Sequence, residues 1–132
     1  MNRGARPFDQ ARLFAALADP TRLRLLNLIA GREVCVCYLV AILRQPQPKI
    51  SRHLAYLRRA GIASARRQGK WMHYSIRWPD DNAAVSILRA VLLSFEANWQ
   101  MQADLARLER SCCETGKLPA LAGAPLPVPI LS

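Results

Sequence analysis

Between Pro48 and Gly61, Ile50, Leu54 and Leu57 stand at i, i+4 and i+7, while most of the residues among them are polar or basic. That spacing predicts a helix with one buried stripe. Pro48 suits its first position and Gly61 stops it. The opposite face then carries Lys49, Ser51, Arg52, His53, Tyr56 and Arg59, with Gln47 just ahead of them. A helix this basic on one side has to lie on a surface, and its neighbours must cover the other side.

Those neighbours can be read in turn. Phe8 to Ala18 places Phe8, Leu13, Phe14 and Leu17 roughly on one helical face. Asp19 and Pro20 restart the chain as a cap and a first-turn proline. Leu23 to Ala30 is a strongly apolar helix that Gly31 ends, and Arg32 to Leu43 reads as a third helix packed through Leu39, Ile42 and Leu43. Gln45-Pro46-Gln47-Pro48 is the turn before the basic helix. After it, Ile62 to Ile76 forms two short segments around Arg66-Arg67-Gln68-Gly69-Lys70, the second alternating as Trp71, His73, Ser75 against Met72, Tyr74, Ile76. This predicts a β-hairpin with a basic tip. Helix, turn, helix, hairpin is the order of a winged helix-turn-helix in a mainly α fold.

From Asn82 or Ala83 to Arg110 the pattern predicts one long helix, with Leu88, Val91, Leu92, Phe95, Trp99, Leu105 and Leu108 on one face. So small a domain has little core for such a face to cover, which points to a homodimer through the terminal helices. The expected organisation is an arm over 1–7, a DNA-binding and dimerisation domain over 8–110, and a Cys-Cys and Pro-rich tail over 111–132.

Net charge of +10 and a pI of about 10.5 favour a polyanionic partner. In a winged helix-turn-helix, Gln47, Lys49, Ser51, Arg52, His53, Tyr56 and Arg59 would face double-stranded DNA. Gln reads adenine, Arg and Lys read guanine, and Ser and Tyr serve phosphates. Arg66, Arg67 and Lys70 at the hairpin tip suit phosphates or the minor groove. No apolar run is long enough to span a bilayer and no signal peptide is visible, so the expected location is cytoplasmic, with reduced thiols. No acid–base constellation or Gly-rich phosphate loop accompanies the cysteines, which argues against an enzyme.

The four cysteines fall in two tight pairs, Cys35 with Cys37 and Cys112 with Cys113. Adjacent or near-adjacent thiols suit a soft, thiophilic ion or a redox reaction more than a structural disulfide. If Cys35 and Cys37 both sat on a helix they would point about 200° apart, so one ion could bridge them only by distorting the helix start.

Three separated segments resemble the ArsR/SmtB family of metal-responsive repressors. They are Ala18-Asp19-Pro20-Thr21-Arg22-Leu23, Gln47 to Ile62, and Arg66-Arg67-Gln68-Gly69-Lys70-Trp71-Met72-His73-Tyr74, in the family's order, within a match over residues 8–110. Glu33-Val34-Cys35-Val36-Cys37 resembles the sensing motif of the arsenic-responsive branch. The resemblance implies a dimeric repressor that leaves its operator when As(III) or Sb(III) binds cysteine thiolates. Val40 stands where that branch often has a third cysteine, and Tyr38 stands where it has an acid. The expected site is therefore Cys35 and Cys37 with Cys112 or Cys113 of the same or the other subunit. Two alternatives stand beside it: a thiol redox sensor, and a sensor of methylated trivalent arsenicals held by Cys112 and Cys113. The family's zinc site on the long helix lacks its histidines here.

Overall fold

A computed structural model describes residues 8–113 and 123–130. Helix α1 spans Gln10–Leu17 and α2 spans Pro20–Ile29. Strand β1 (Arg32–Cys35) leads directly into α3 (Val36–Leu43), and α4 (Gln47–Arg59) follows after a short turn. Strands β2 (Ala63–Gln68) and β3 (Trp71–Ile76) make the hairpin. Helix α5 (Asn82–Ser94), a 3-10 turn (Phe95–Ala97) and α6 (Trp99–Cys113) come next, and β4 (Val128–Pro129) closes the described chain. The winged helix-turn-helix expected from the sequence is present.

Helices α1, α2 and α5 start with one device. Asp9, Asp19 and Asp81 each accept a hydrogen bond from the backbone N–H three residues on, at 3.0, 3.0 and 3.1 Å. Such a cap is typically worth about 1 kcal/mol. Asn98 does the same for Met101 at 3.1 Å. Its extended backbone (φ −95°, ψ 114°) divides what the sequence suggested was one long helix into α5 and α6. The break corrects the predicted continuous run, and α6 carries on past Arg110 to Cys113.

A second correction concerns residues 32–35. They are not the first turn of α3 but a strand, because their backbone pairs with β3 in the register Val34↔Tyr74 and Cys35↔His73. The hairpin is thus part of a four-stranded antiparallel sheet in the order β2-β3-β1-β4. The Pro-rich tail contributes β4, with Arg32 opposite Pro129 and Glu33 opposite Val128.

The core gathers Leu25, Leu26, Leu28 and Ile29 of α2, Leu39 of α3, the stripe Ile50, Leu54 and Leu57 of α4, and Leu88 of α5, all fully buried. Removing such side chains from water is worth about 1.5–3 kcal/mol each. Polar links orient α6 on this core. Asp104, fully buried, accepts from Arg24 at 2.7 and 2.9 Å and from Gln100 at 3.1 Å. The Asn27 amide donates to Met101 O at 2.9 Å, and Arg107 donates to Ile42 O at 3.2 Å. Of the apolar residues that the sequence placed on one face of the long helix, Leu88, Phe95 and Leu108 are buried while Trp99 is 79% exposed.

Arg24→Met strands the Asp104 carboxylate in the core. Because an unpaired buried charge costs about 3–5 kcal/mol, the urea midpoint is expected to fall sharply, and an unchanged midpoint would remove this pair from the forces that seat α6.

Candidate sensor site and nucleic-acid interface

Strand-to-helix geometry brings the first cysteine pair together. Cys35 ends β1 and caps α3 with extended backbone angles (φ −66°, ψ 142°), so it does not follow the helical rotation that Cys37 obeys. The two Sγ atoms lie 3.0 Å apart, with the Cys37 thiol placed to donate to Cys35. The divergence of about 200° expected for two helical residues does not arise. Cys35 is fully buried and Cys37 half-buried. Burial, and then the hydrogen bond and charge of Cys35, push the Cys37 thiol up to about 12. Both sulfurs of such a pair must shed protons before they ligate an ion, so binding is coupled to proton release.

Tyr38 follows the pair and turns into the protein. It is fully buried, and its hydroxyl has no hydrogen-bond partner among the described residues. Burial first, then the nearby charges of Cys112, Cys37 and Cys35, raise its pKa to about 12. Cys112 also acts electrostatically on Arg32, whose pKa burial lowers and Glu109 and Cys112 raise. The end of α6 therefore reaches the neighbourhood of β1 and α3 within a single chain. Among the described residues, no three His, Cys, Asp or Glu side chains converge into a metal-ready cluster. The Cys113 side chain lies outside the described residues.

Cys37 opens onto a cavity of about 340 Å³ lined by Val36, Val40 and Ala41 of α3, Trp71 and Met72 of β3, Gln47 and Lys70. This cavity joins the thiol pair to the first residue of α4 and to the hairpin turn. The sequence named both thiols and both polar residues but gave Trp71 and Met72 only a strand alternation.

On α4, Gln47, Lys49, Arg52 and Arg59 are exposed and Ser51, His53 and Tyr56 are partly so. Arg22, Lys49, Arg52, His53, Tyr56 and Arg59 line a basic cleft of about 380 Å³. Arg22 was not among the residues picked from the sequence, although it lies inside the Asp19–Leu23 segment. Its guanidinium stacks 4.1 Å from the Tyr56 ring centroid. It also donates to Ala16 O at 2.8 Å, Ala15 O at 3.0 Å and His53 Nδ1 at 3.3 Å. Its donors are spent on the protein, so it fixes α4 against α1 and α2. Burial, followed by the neighbouring cations Arg22, Lys49 and Arg52, lowers the His53 pKa against the opposing pull of Asp19. A neutral imidazole is the form that accepts from Arg22.

At the hairpin, Arg66, Arg67 and Lys70 are all exposed. Arg66 is not idle: it makes a forked contact to Glu33 at 2.6 and 3.1 Å. Glu33 belongs to β1, two residues before Cys35, so the wing is tied to the strand that carries the thiol. Arg67 and Lys70 remain the more available cations, with Lys70 also 5.0 Å from the Trp71 ring.

Residues 19–65 match the family described as bacterial regulatory protein, arsR family. The chain is 54% identical over 65 residues to the arsenical resistance operon repressor of Escherichia coli, covering 48% of this chain and 56% of that protein. It is 43% identical over 88 residues to the arsenic resistance transcriptional regulator ArsR2 of Pseudomonas putida, covering 66% and 76%. Its fold resembles the crystal structure of the AntR antimony-specific transcriptional repressor with a TM-score of 0.51 and 29% identity, over 74% of this chain and 92% of that one. The matched segment thus spans little more than half of the Escherichia coli repressor. With 43% identity across three quarters of the Pseudomonas regulator and the same winged architecture, this chain belongs to the ArsR family of bacterial regulatory proteins, which are DNA-binding regulators and not enzymes.

Proposed function

We propose that this protein represses an arsenic-resistance operon and leaves its operator when As(III) or Sb(III) is bound by Cys35, Cys37 and a thiol of the Cys112–Cys113 pair. The observation that carries the reading is the 3.0 Å approach of the Cys35 and Cys37 sulfurs at the root of α3. Two thiolates at one point select a soft, thiophilic ion. The electrostatic contact of Cys112 with Tyr38 and Arg32 favours a third sulfur from the end of α6. The relatives named for arsenic resistance and the antimony-specific AntR support the choice of metalloid.

DNA is engaged by the exposed face of α4, through Gln47, Lys49, Ser51, Arg52, His53, Tyr56 and Arg59, and by Arg67 and Lys70 of the hairpin, with Arg66 joining them when Glu33 lets go. Exposed Trp99 and Leu93 supply apolar surface for a second copy of the chain. Release follows from connection: a ligand that pulls on Cys35 and Cys37 displaces β1 and α3, and β1 holds the hairpin through Tyr74 and His73. A redox reading has the same root, because thiols at 3.0 Å are close enough to be oxidised together.

Operator binding followed by fluorescence anisotropy tests these roles. Arsenite releases the wild type, whereas Cys35→Ser binds the operator normally and is not released; release of that variant by arsenite would refute the site. Peroxide acting where arsenite does not would select the redox reading. Arg52→Ala weakens operator binding by about 1–3 kcal/mol with an unchanged melting temperature, and unaltered affinity would take Arg52 out of the interface. Cys112→Ser alone shifts the arsenite midpoint little, and Cys112→Ser with Cys113→Ser raises it by about tenfold or more, a loss of some 1.4 kcal/mol; a midpoint unmoved in the double variant would exclude both tail thiols.

A further inference from the structure

The basic surface of this protein does not stop at the outward face of α4. A second cleft, of about 570 Å³, opens between the C-terminal half of α4 and strand β2. Arg58 and Arg59 of α4 and Arg77, just past β3, rim it, and Ala63, Ser64 and Ala65 of β2 form its floor. It shares Ala55 and Arg59 with the cleft that holds Lys49, Arg52 and His53, so the two run together around α4. All three arginines are exposed, and among the described residues no carboxylate pairs with any of them. Cations gathered without a counter-charge leave an unfilled attraction for an anion.

Strand β2 adds donors. It is the outer strand of the sheet, so one row of its backbone groups has no strand partner. Arg77 N–H donates to Ile62 O at 3.1 Å, which carries the β2–β3 ladder one step further and seats Arg77 beside the start of β2. The alternation of an antiparallel ladder then turns the N–H groups of Ala63 and Ala65 away from β3, toward the outer edge. Small side chains there let a tetrahedral anion reach backbone N–H and guanidinium together, a combination that phosphate contacts use.

We propose that this cleft seats a phosphate group of the DNA backbone beside the segment that α4 reads, with Arg58 and Arg77 as contacts outside both the α4 reading face and the hairpin turn. The proposal deepens the proposed function and rests on its placing of DNA against α4. Continuity with the first cleft through Arg59 selects the DNA backbone over a free phosphate or an acidic protein, because a run of phosphates leaving the α4 face meets this cleft next. Such a contact is blind to base sequence. It lengthens the footprint and tightens specific and nonspecific binding by the same factor.

The test is an anisotropy titration of the full chain across a range of salt, on a duplex carrying the operator and on a scrambled duplex of equal length. Arg77→Gln and, separately, Arg58→Gln are expected to weaken binding to both duplexes by the same factor and to lower the salt slope by about 1. Two variants are measured so that a fold defect in one, seen as a lowered melting temperature, leaves the other to decide. Arg77→Lys keeps the charge and is expected to retain the slope. Arg110→Gln removes a cation of α6 that lines neither cleft, and its slope is expected to match the wild type. Wild-type slopes in Arg58→Gln and Arg77→Gln would overturn the proposal and leave the cleft to an acidic protein partner. An equal fall in Arg110→Gln would overturn it too, as would a fall on the operator that scrambled DNA does not share. Equal wild-type affinity for the two duplexes would refute operator reading by α4, while the scrambled duplex still decides this contact.

Discussion

Two backbone pairs, Val34 with Tyr74 and Cys35 with His73, hold the working parts of this protein in one frame. They make residues 32–35 a strand, and the strand sets Cys35 in an extended conformation at the head of α3. From that position its sulfur meets that of Cys37. The same pairs join the thiols to the hairpin, and α3 packs next to α4. Had Cys35 been helical, the sulfurs would have diverged, and a ligand would have had to unwind α3 to collect both. The strand-to-helix junction brings the two sulfurs together with α3 intact.

The electrostatics are arranged in two tiers. Cations aimed outward on α4 stand above Arg22, which is spent on Ala15, Ala16, His53 and the Tyr56 ring. An arginine with its donors satisfied internally acts as a strut, and it holds the outward cations at fixed spacing. Apart from these tiers, Glu33 and Arg66 link β1 to β2 across the sheet. The pair is largely exposed on the arginine side, so it is a weak link energetically. Its placement matters more than its strength, because it sits between the wing and the strand that ends in Cys35.

Much of this was legible in the sequence wherever one period dominated. The Ile50, Leu54, Leu57 stripe and the Asp19-Pro20 restart each appear as read, and Trp71 to Ile76 is a strand, although its adjacent residues His73 and Tyr74 are both buried, so burial does not follow the expected alternation. The failures have a common cause. Arg32-Glu33-Val34-Cys35 continues smoothly into an apolar helical run, and only its long-range partner on β3 makes it a strand. Asn98 interrupts α5 and α6 by a side-chain cap that hydrophobic periodicity does not register. Arg22 was hidden because its value lies in what it touches, thirty-odd residues along the chain, and not in its own charge. The cysteine pairs were conspicuous by chemistry, but their mutual distance belonged to the tertiary fold.

The tail strand β4 has a further consequence. Without it, β1 would present its outer row of N–H and C=O groups to solvent beside Cys35. Val128 and Pro129 cover that row, and Ile130 N–H reaches Gly31 O at 2.9 Å. The sheet then ends on a two-residue strand containing a proline, an edge too short and too poor in donors to recruit another chain. A segment of the Pro-rich tail thus serves as a selvedge: it finishes the sheet so that β1 stays a private scaffold for Cys35, closed to aggregation by strand addition.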